Sequence, residues 1–380
     1  MNFQLTEEHD MVRGMVRDFV EKEVAPRAQE IDEKDEFPRD IFHRMGELGL
    51  LGLPFPEEYG GCGGDFMSLV IALEEIARAS GSLAIILDAH TSLCCEPLFL
   101  FGTEEQKRTY LISLARGERI GAFGLTEPGA GSDAGATRTR AVRDGDEWVI
   151  NGQKIFITNG SVADVVVITA KTEPERGTRG ISAFIIEKGT PGFQLGRDEK
   201  KMGLKGSVTS QLFFESCRIP VDNLLGEENA GFRQFLITLD AGRVAIAAMA
   251  VGLAQGAFER AVAYAKERVQ FGQAIARFQA IQWMIADMAT QIEAARLLVY
   301  RAAWLKDQGL PFAKQASVAK LFATEMSERA CRDAIQIHGG YGYMQEYAVE
   351  RMYRDQRLCA IGEGTNEIQR LVIARHVLGL

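Results

Sequence analysis

The sequence predicts an α+β multidomain protein: an N-terminal helical domain over 1–118, a middle antiparallel β-barrel or sandwich over 119–228, and a C-terminal four-helix bundle over 229–380. Three observations carry this. Apolar residues recur at helical spacing up to about residue 118. Short β-branched runs punctuated by Asp-Gly and Asn-Gly pairs then take over. From about 230 the helical period returns in long, alanine-rich stretches. Strands cluster instead of alternating with helices, which excludes a βαβ architecture. A chain of 380 residues is long enough for two or three such units.

Taken in order, Thr6 precedes Glu7 and Glu8, and Met11, Val12, Met15, Val16, Phe19 and Val20 form one apolar stripe. Phe37-Pro38 opens a second helix through Ile41, Phe42, Met45 and Leu48. The proline- and glycine-rich stretch 54–64 is a loop. Asp65 caps a third helix, another follows near 82–100, and Thr103 with Gln106 is a capping box. In the middle region Asp144-Gly145, Asn151-Gly152 and Asn159-Gly160 are predicted as hairpin turns, and 163–170, 180–187 and 208–215 as strands. The predicted bundle consists of 232–268, 278–306 and 312–337 plus a final helix after Glu363. That helix is predicted to have Asn366 as N-cap, Gln369 completing a capping-box-like pair, and Gly379 as its stop.

Composition narrows the function. A formal charge of −9 argues against nucleic acid as the main partner, and 46% hydrophobic with 25% charged residues is ordinary for a soluble globular chain. The six cysteines form no C-x-x-C pair, so neither a metal site nor a disulfide framework is expected and the usage fits a reducing compartment. The N-terminus has no signal-peptide pattern, and the apolar run 244–254 is too short to cross a bilayer. A cytoplasmic protein without membrane insertion is the expectation.

Two stretches carry chemistry. In Ile361-Gly362-Glu363-Gly364-Thr365-Asn366-Glu367, one carboxylate sits between glycines just before a helix, where the backbone can turn left-handed and a ligand can come close. A carboxylate so placed can act as a general base; a solvated loop acid is the plainer alternative. In Phe123-Gly124-Leu125-Thr126-Glu127-Pro128-Gly129-Ala130-Gly131-Ser132-Asp133 the glycines match a dinucleotide fingerprint, but 137–142 alternates like a strand where that motif needs a helix. A glycine-bearing loop presenting N–H groups and the Thr126 and Ser132 hydroxyls to a planar or phosphorylated ligand fits better. Phe156 and Thr158 share one strand face, suited to a ring and its heteroatoms or to core packing. Arg268 could pair with a pyrophosphate or simply complement a helix end. Asp240 and Arg243, three apart, could bridge each other.

Together these pieces resemble an acyl-CoA dehydrogenase over essentially the whole chain: Phe123 to Asp133, Lys154 to Gly160, Lys201-Met202-Gly203 with Asn223 to Phe232, Arg268 to Gly272, Gln336 to Gly340 and Glu363 to Gln369, in order. The resemblance implies FAD between the β-domain and the C-terminal helices. It implies that Phe123, Leu125, Thr126, Gly131, Ser132, Phe156, Ile157 and Thr158 line the flavin. Arg268, Gln270, Phe271, Phe278, Gln279, Gln336, Ile337, His338, Gly339 and Gly340 would hold the phosphates and adenosine, partly across a subunit interface, with Thr365, Asn366 and Glu367 closing the site. Ser132, Asp240, Arg243 and Gly364 would touch the acyl-CoA, and Glu363 would take the α-proton while the flavin accepts the β-hydride. It further implies a homotetramer that passes electrons to electron-transferring flavoprotein, in fatty acid or branched-chain amino acid catabolism.

The chain departs from the family pattern at Gly362, where tyrosine is frequent, and at Phe156, where tryptophan is common. Some relatives carry the base at the position of Gly242, which glycine cannot replace. An acyl-CoA oxidase using O2 and a non-catalytic flavin or acyl-thioester binding protein are the competing readings; the first runs longer at its C-terminus, and Glu363 argues against the second.

Overall fold

The computed structural model describes residues 4–380; the first three positions of the predicted N-terminal domain lie outside the described residues. Helices α1 (Glu7–Phe19), α2 (Ala28–Lys34), α3 (Arg39–Glu47), α4 (Phe66–Ala77), α5 (Gly81–Asp88), α6 (Glu96–Phe101), α7 (Glu104–Gln106) and α8 (Ile112–Ala115) form the N-terminal part. The caps follow the sequence: Thr6 accepts from His9 N, Asp65 from Ser68 N, and Thr103 with Gln106 closes a capping box. Between α5 and α6 the chain stays helical through a π segment, Ala89–Cys95. Its i→i+5 bonding pattern is found chiefly at functional sites.

The middle part is a single sheet of strands β1 (Gly121–Gly124), β2 (Arg140–Asp144), β3 (Glu147–Thr158), β4 (Val165–Lys171), β5 (Ile181–Glu187), β6 (Phe193–Asp198), β7 (Thr209–Pro220) and β8 (Leu224–Leu225), in the order β6-β7-β3-β2-β4-β5-β8 with β1 beside β4. The sheet is mixed. β1 pairs with β4 in parallel, as does the end of β2, while the other pairs are antiparallel. Asp144-Gly145 does turn a hairpin, β2 to β3. Asn151-Gly152 does not: it lies inside β3 at a register shift, where Asn151 Oδ1 accepts from Ser216 N and Gly152 packs on Thr139. A turn dipeptide and a bulge need the same backbone freedom, so the sequence signal is shared.

A small antiparallel ribbon, β9 (Val269–Gln270) with β10 (Gln273–Ala274), links the helices that follow. These are α9 (Gly231–Glu267), α10 (Gln279–Asp307), α11 (Ala313–His338), α12 (Val349–Gln356) and α13 (Asn366–Leu378). α9 is the axis of the molecule. Val244 to Val251 are all fully buried, because α4, α10 and α11 surround the helix on every side. Small residues allow this approach: a methyl at Gly252 or Gly256 would strike the backbone carbonyl of Glu74 or Arg78. Among the described residues two helical stretches, Gly81–Phe101 and Gly231–Glu267, are long and apolar enough to cross a membrane, and both are mostly buried against their neighbours here.

Candidate active site

Glu363 stands on the short loop between a 3-10 turn (Arg357–Ala360) and α13. The amides of Ile361 and Gly362 both donate to Leu358 O at 2.8 Å. The chain then turns left-handed at Glu363 (φ 56°) and Gly364 (φ 89°). The glycine before the acid does not take that conformation; the acid itself does. For a non-glycine residue this costs about 1–2 kcal/mol, and such residues gather where surrounding structure over-determines them. Here Lys320 Nζ and Gln369 Nε2 hold the Gly364 carbonyl at 2.6 and 2.8 Å. The N-cap of α13 is Thr365, not Asn366: its hydroxyl accepts from Ile368 N, while Asn366 turns inward to Thr324 and Lys320. Gln369 is spent on the loop carbonyls, so no capping box forms. Gly379 ends the helix as predicted.

The Glu363 carboxylate points at α9. Both of its oxygens are buried with no hydrogen-bond donor. A methyl at Gly242 would collide with Oε2 and come within 2.8 Å of Leu93 Cδ2, so Gly242 is the floor on which the acid rests. Its nearest titratable neighbour is Asp88 at the end of α5, completely buried and within hydrogen-bonding reach of Glu363. Burial raises the Glu363 pKa well above the usual carboxylate range, the Asp88 charge raises it further, and Lys320 and Arg243 oppose. Burial likewise lifts Asp88 to about 6. Beside the acid, a Cβ at Gly362 would meet Ile246 Cδ1 at 3.4 Å, Leu358 O at 3.6 Å and Leu358 Cγ at 3.7 Å, all ordinary van der Waals contacts, so a methyl fits there against its neighbours.

The β-domain loop is held by a buried ion pair. Lys154 on β3 reaches Glu127 Oε1 at 2.8 Å and also donates to Leu125 O, Thr137 Oγ1 and Thr169 Oγ1. Glu127 further accepts from the Arg138 and Thr139 amides and the Thr137 hydroxyl. Despite burial, the ammonium and these donors hold Glu127 down at about 2, while burial draws Lys154 down to about 8. Both are charged at neutral pH. A register shift between Lys154 and Ile157 then turns Phe156 left-handed (φ 59°) and leaves it 63% exposed, on the outward side with Thr158. Ile157 points the other way, into the sheet's core. Phe123 stacks on Phe235 of α9 with centroids 4.1 Å apart, and Leu125 packs in the same cluster. Gly131 and Ser132 are exposed.

Asp240 and Arg243 bridge each other at 2.5 Å. The remaining predicted residues lie elsewhere: Arg268, Gln270, Ile337, His338, Gly339 and Gly340 line a separate cavity of about 540 Å³ between the ends of α9 and α11. Arg268 lies over the Tyr341 ring, and His338 stacks on Tyr264. Phe271 projects almost entirely into solvent, Gln279 and Gln336 are exposed, Phe278 packs partly against the main core, and Glu367 is exposed at the start of α13.

Comparisons with known proteins place this geometry. Family models for the acyl-CoA dehydrogenase N-terminal, middle and C-terminal domains match residues 6–118, 122–217 and 229–378. The chain belongs to the acyl-CoA dehydrogenase family. It is 57% identical over 379 residues to a probable acyl-CoA dehydrogenase, YngJ, of Bacillus subtilis, covering all of both chains. It is 53% identical to a short-chain specific acyl-CoA dehydrogenase of Clostridium acetobutylicum (98% of this chain, 99% of the other). Identity is 50% to the caffeyl-CoA reductase-Etf complex subunit CarC of Acetobacterium woodii, with the same coverage. Among solved structures, butyryl-CoA dehydrogenase from Megasphaera elsdenii matches at TM-score 0.98 and 45% identity over the whole of both chains. A chain solved in work on the electron transferring flavoprotein of Acidaminococcus fermentans matches at 0.99 and 50%, again over both chains.

An acyl-CoA dehydrogenase is an FAD-dependent oxidoreductase of the CH–CH bond, and the residues here fit that cofactor. The outward aromatic at Phe156 offers a face for a flat ring, Lys154 fixes the loop beside it, and the cavity with Arg268 offers a cation to a pyrophosphate. Sequence reasoning passed over Asp88, Glu127, Lys154 and Lys320. A signal was present for two of them: Asp88 is the lone acid in an apolar helix, and Lys154 falls on the inward phase of β3, where an ammonium needs a partner.

Proposed function

We propose that this acyl-CoA dehydrogenase oxidises a saturated acyl-CoA to the trans-2-enoyl-CoA, with Glu363 abstracting the α-proton. The observation that carries the reading is the Glu363 carboxylate: both oxygens buried, without a donor, resting on Gly242. An α C–H beside a thioester is a weak acid, so its base gains from a raised pKa and from a site closed to water. Negative charge developing on the thioester oxygen calls for a preorganised donor, and the backbone N–H of Glu363 is the chain's own candidate. The chemistry that FAD supplies when bound is acceptance of the β-hydride.

Phe123, Leu125, Thr126, Gly131, Ser132, Phe156 and Thr158, with the backbone at Ile157, hold the flavin end. Arg268, Gln270 and 336–340, with Phe271, Phe278 and Gln279, form the phosphate and adenosine site, completed by a second copy of the chain in a homotetramer. Thr365 and Glu367 close it, and the Asp240–Arg243 pair with Ser132 meets the CoA portion. The three domains are 1–118, 119–228 and 229–380, the setting is cytoplasmic, and electrons leave to electron-transferring flavoprotein; the Etf complex of a relative and the flavoprotein context of a structural neighbour support that outlet. The absence of a side chain at Gly362, beside the acid, favours a branched or wide acyl group.

The reverse reaction is a second reading. A relative is named a reductase, and a Glu363 that holds a proton is equipped to deliver it to Cα of an enoyl thioester. Anaerobic titration with straight, branched and aromatic acyl-CoAs and their enoyl counterparts, following flavin absorbance, tests both. Bleaching by at least one saturated acyl-CoA is expected; bleaching by none, with reoxidation of reduced enzyme by enoyl-CoA, assigns the reductive direction.

A further inference from the structure

The two carboxyl groups at the foot of the site are not explained by a single base. Asp88 ends α5, in which Leu83 to Leu87 are all buried. One of its oxygens, Oδ1, takes the Ser92 hydroxyl, and the other, Oδ2, has no donor. Both Glu363 oxygens lack donors too, and the two side chains are within hydrogen-bonding reach of each other. Two charged carboxylates within hydrogen-bonding reach and buried repel each other, whereas one proton between them satisfies an oxygen on each side.

We propose that Asp88 and Glu363 share one proton, Asp88 acting as a positioning residue that sets the protonation state in which Glu363 meets the thioester. This rests on Glu363 being the base.

Two nearby cations, Lys320 and Arg243, favour the charged form of Glu363, but the hydrogen bonds found for both go to other groups. From α11, Lys320 spends its ammonium on Gly364 O and Asn366 Oδ1. From α9, Arg243 is bound to Asp240. Cys359, before the loop, is a thiol that burial keeps neutral. On the 81–101 helix itself His90 bonds Leu114 O and Gly121 N. None of these donates to Glu363 or to Asp88 Oδ2. With one shared proton, Glu363 is a base whenever the proton rests on Asp88 and an acid whenever it rests on Glu363. Abstraction from Cα leaves two protons on the pair, and one departs to restore it. Burial is the main cause that raises both acids, and the Asp88 charge raises Glu363 further.

The test separates proton abstraction from hydride transfer. Methylthioacetyl-CoA has an acidic α C–H and sulfur at position 3, so it offers no β-hydride. The FAD-loaded enzyme in D2O should exchange its α-protons, read by mass, from about pH 5 to 9. Wild-type exchange should rise in two steps. In Asp88→Asn the upper step should vanish and the plateau should arrive at least about one pH unit lower. Infrared difference spectra of the resting protein at neutral pH should show a protonated buried carboxyl that is absent from Asp88→Asn. Asp88→Ser, which removes the charge without adding an amide, should behave alike and serves if the first variant folds poorly. Superimposable pH profiles, or an unchanged carboxyl band, would overturn the shared proton. Undiminished exchange in Glu363→Gln would instead overturn the assignment of the base.

Discussion

Replacing Lys154 by methionine tests whether the loop proposed to face the flavin is held from beneath. The side chain is wholly buried, pairs with Glu127 at 2.8 Å and ties Leu125 O, Thr137 and Thr169. Removing one partner of a buried pair costs about 3–5 kcal/mol, because the other charge is left behind. Here Glu127 keeps the Thr137 hydroxyl and the Arg138 and Thr139 amides, so the loss should fall near the lower figure, about 3 kcal/mol. Urea unfolding followed by fluorescence measures it, since Trp148 sits in the sheet core against Phe184 while the other two tryptophans are exposed. Adding Glu127→Gln removes the stranded charge, and the double variant should recover about 1–2 kcal/mol. The pH dependence has a definite sign. Glu127 is held near 2 against a usual 4.5, so its contribution is present above 4.5 and is lost as pH falls toward 2. Without Lys154 that loss should begin at higher pH. A loss below about 1 kcal/mol, or a double variant no more stable than the single, would refute the reasoning.

Two further substitutions address the base and the glycines beside it. Gly242→Ala places a methyl against Glu363 Oε2 and should slow substrate bleaching by about a hundredfold while FAD stays bound, as stopped-flow absorbance would show. Gly362→Tyr adds bulk beside the acid and should shift acyl preference from branched toward straight chains; an unchanged preference across an acyl-CoA panel contradicts the role given to that glycine.

Much of this architecture was legible in the residues. Helical periodicity located α9, α10 and α11 to within a residue or two, and the capping residues of α1, α4 and α7 were read directly. The misreadings share a cause: local signals do not report tertiary partners. Asn151-Gly152 looks like a turn but serves as a bulge, because β7 continues past it on the other side. Asn366 looks like an N-cap, yet buried Thr324 and Lys320 claim its side chain and Thr365 caps instead. The parallel pairing of β1 with β4 joins segments some forty residues apart and leaves no local trace. Ile157 falls in the core because the bulge at 155–156 reverses the strand's phase. Glu363 itself was legible from its flanking glycines; its partner Asp88 lies in another domain and needed the fold.

The central claim is that one acid, on a strained loop over Gly242, removes the α-proton. Its most direct measurement is the anaerobic reduction of Glu363→Gln by a saturated acyl-CoA that bleaches the wild-type flavin. The account predicts that the variant binds FAD and acyl-CoA but leaves the flavin oxidised. Rapid bleaching of the variant would contradict it and put the base on another residue.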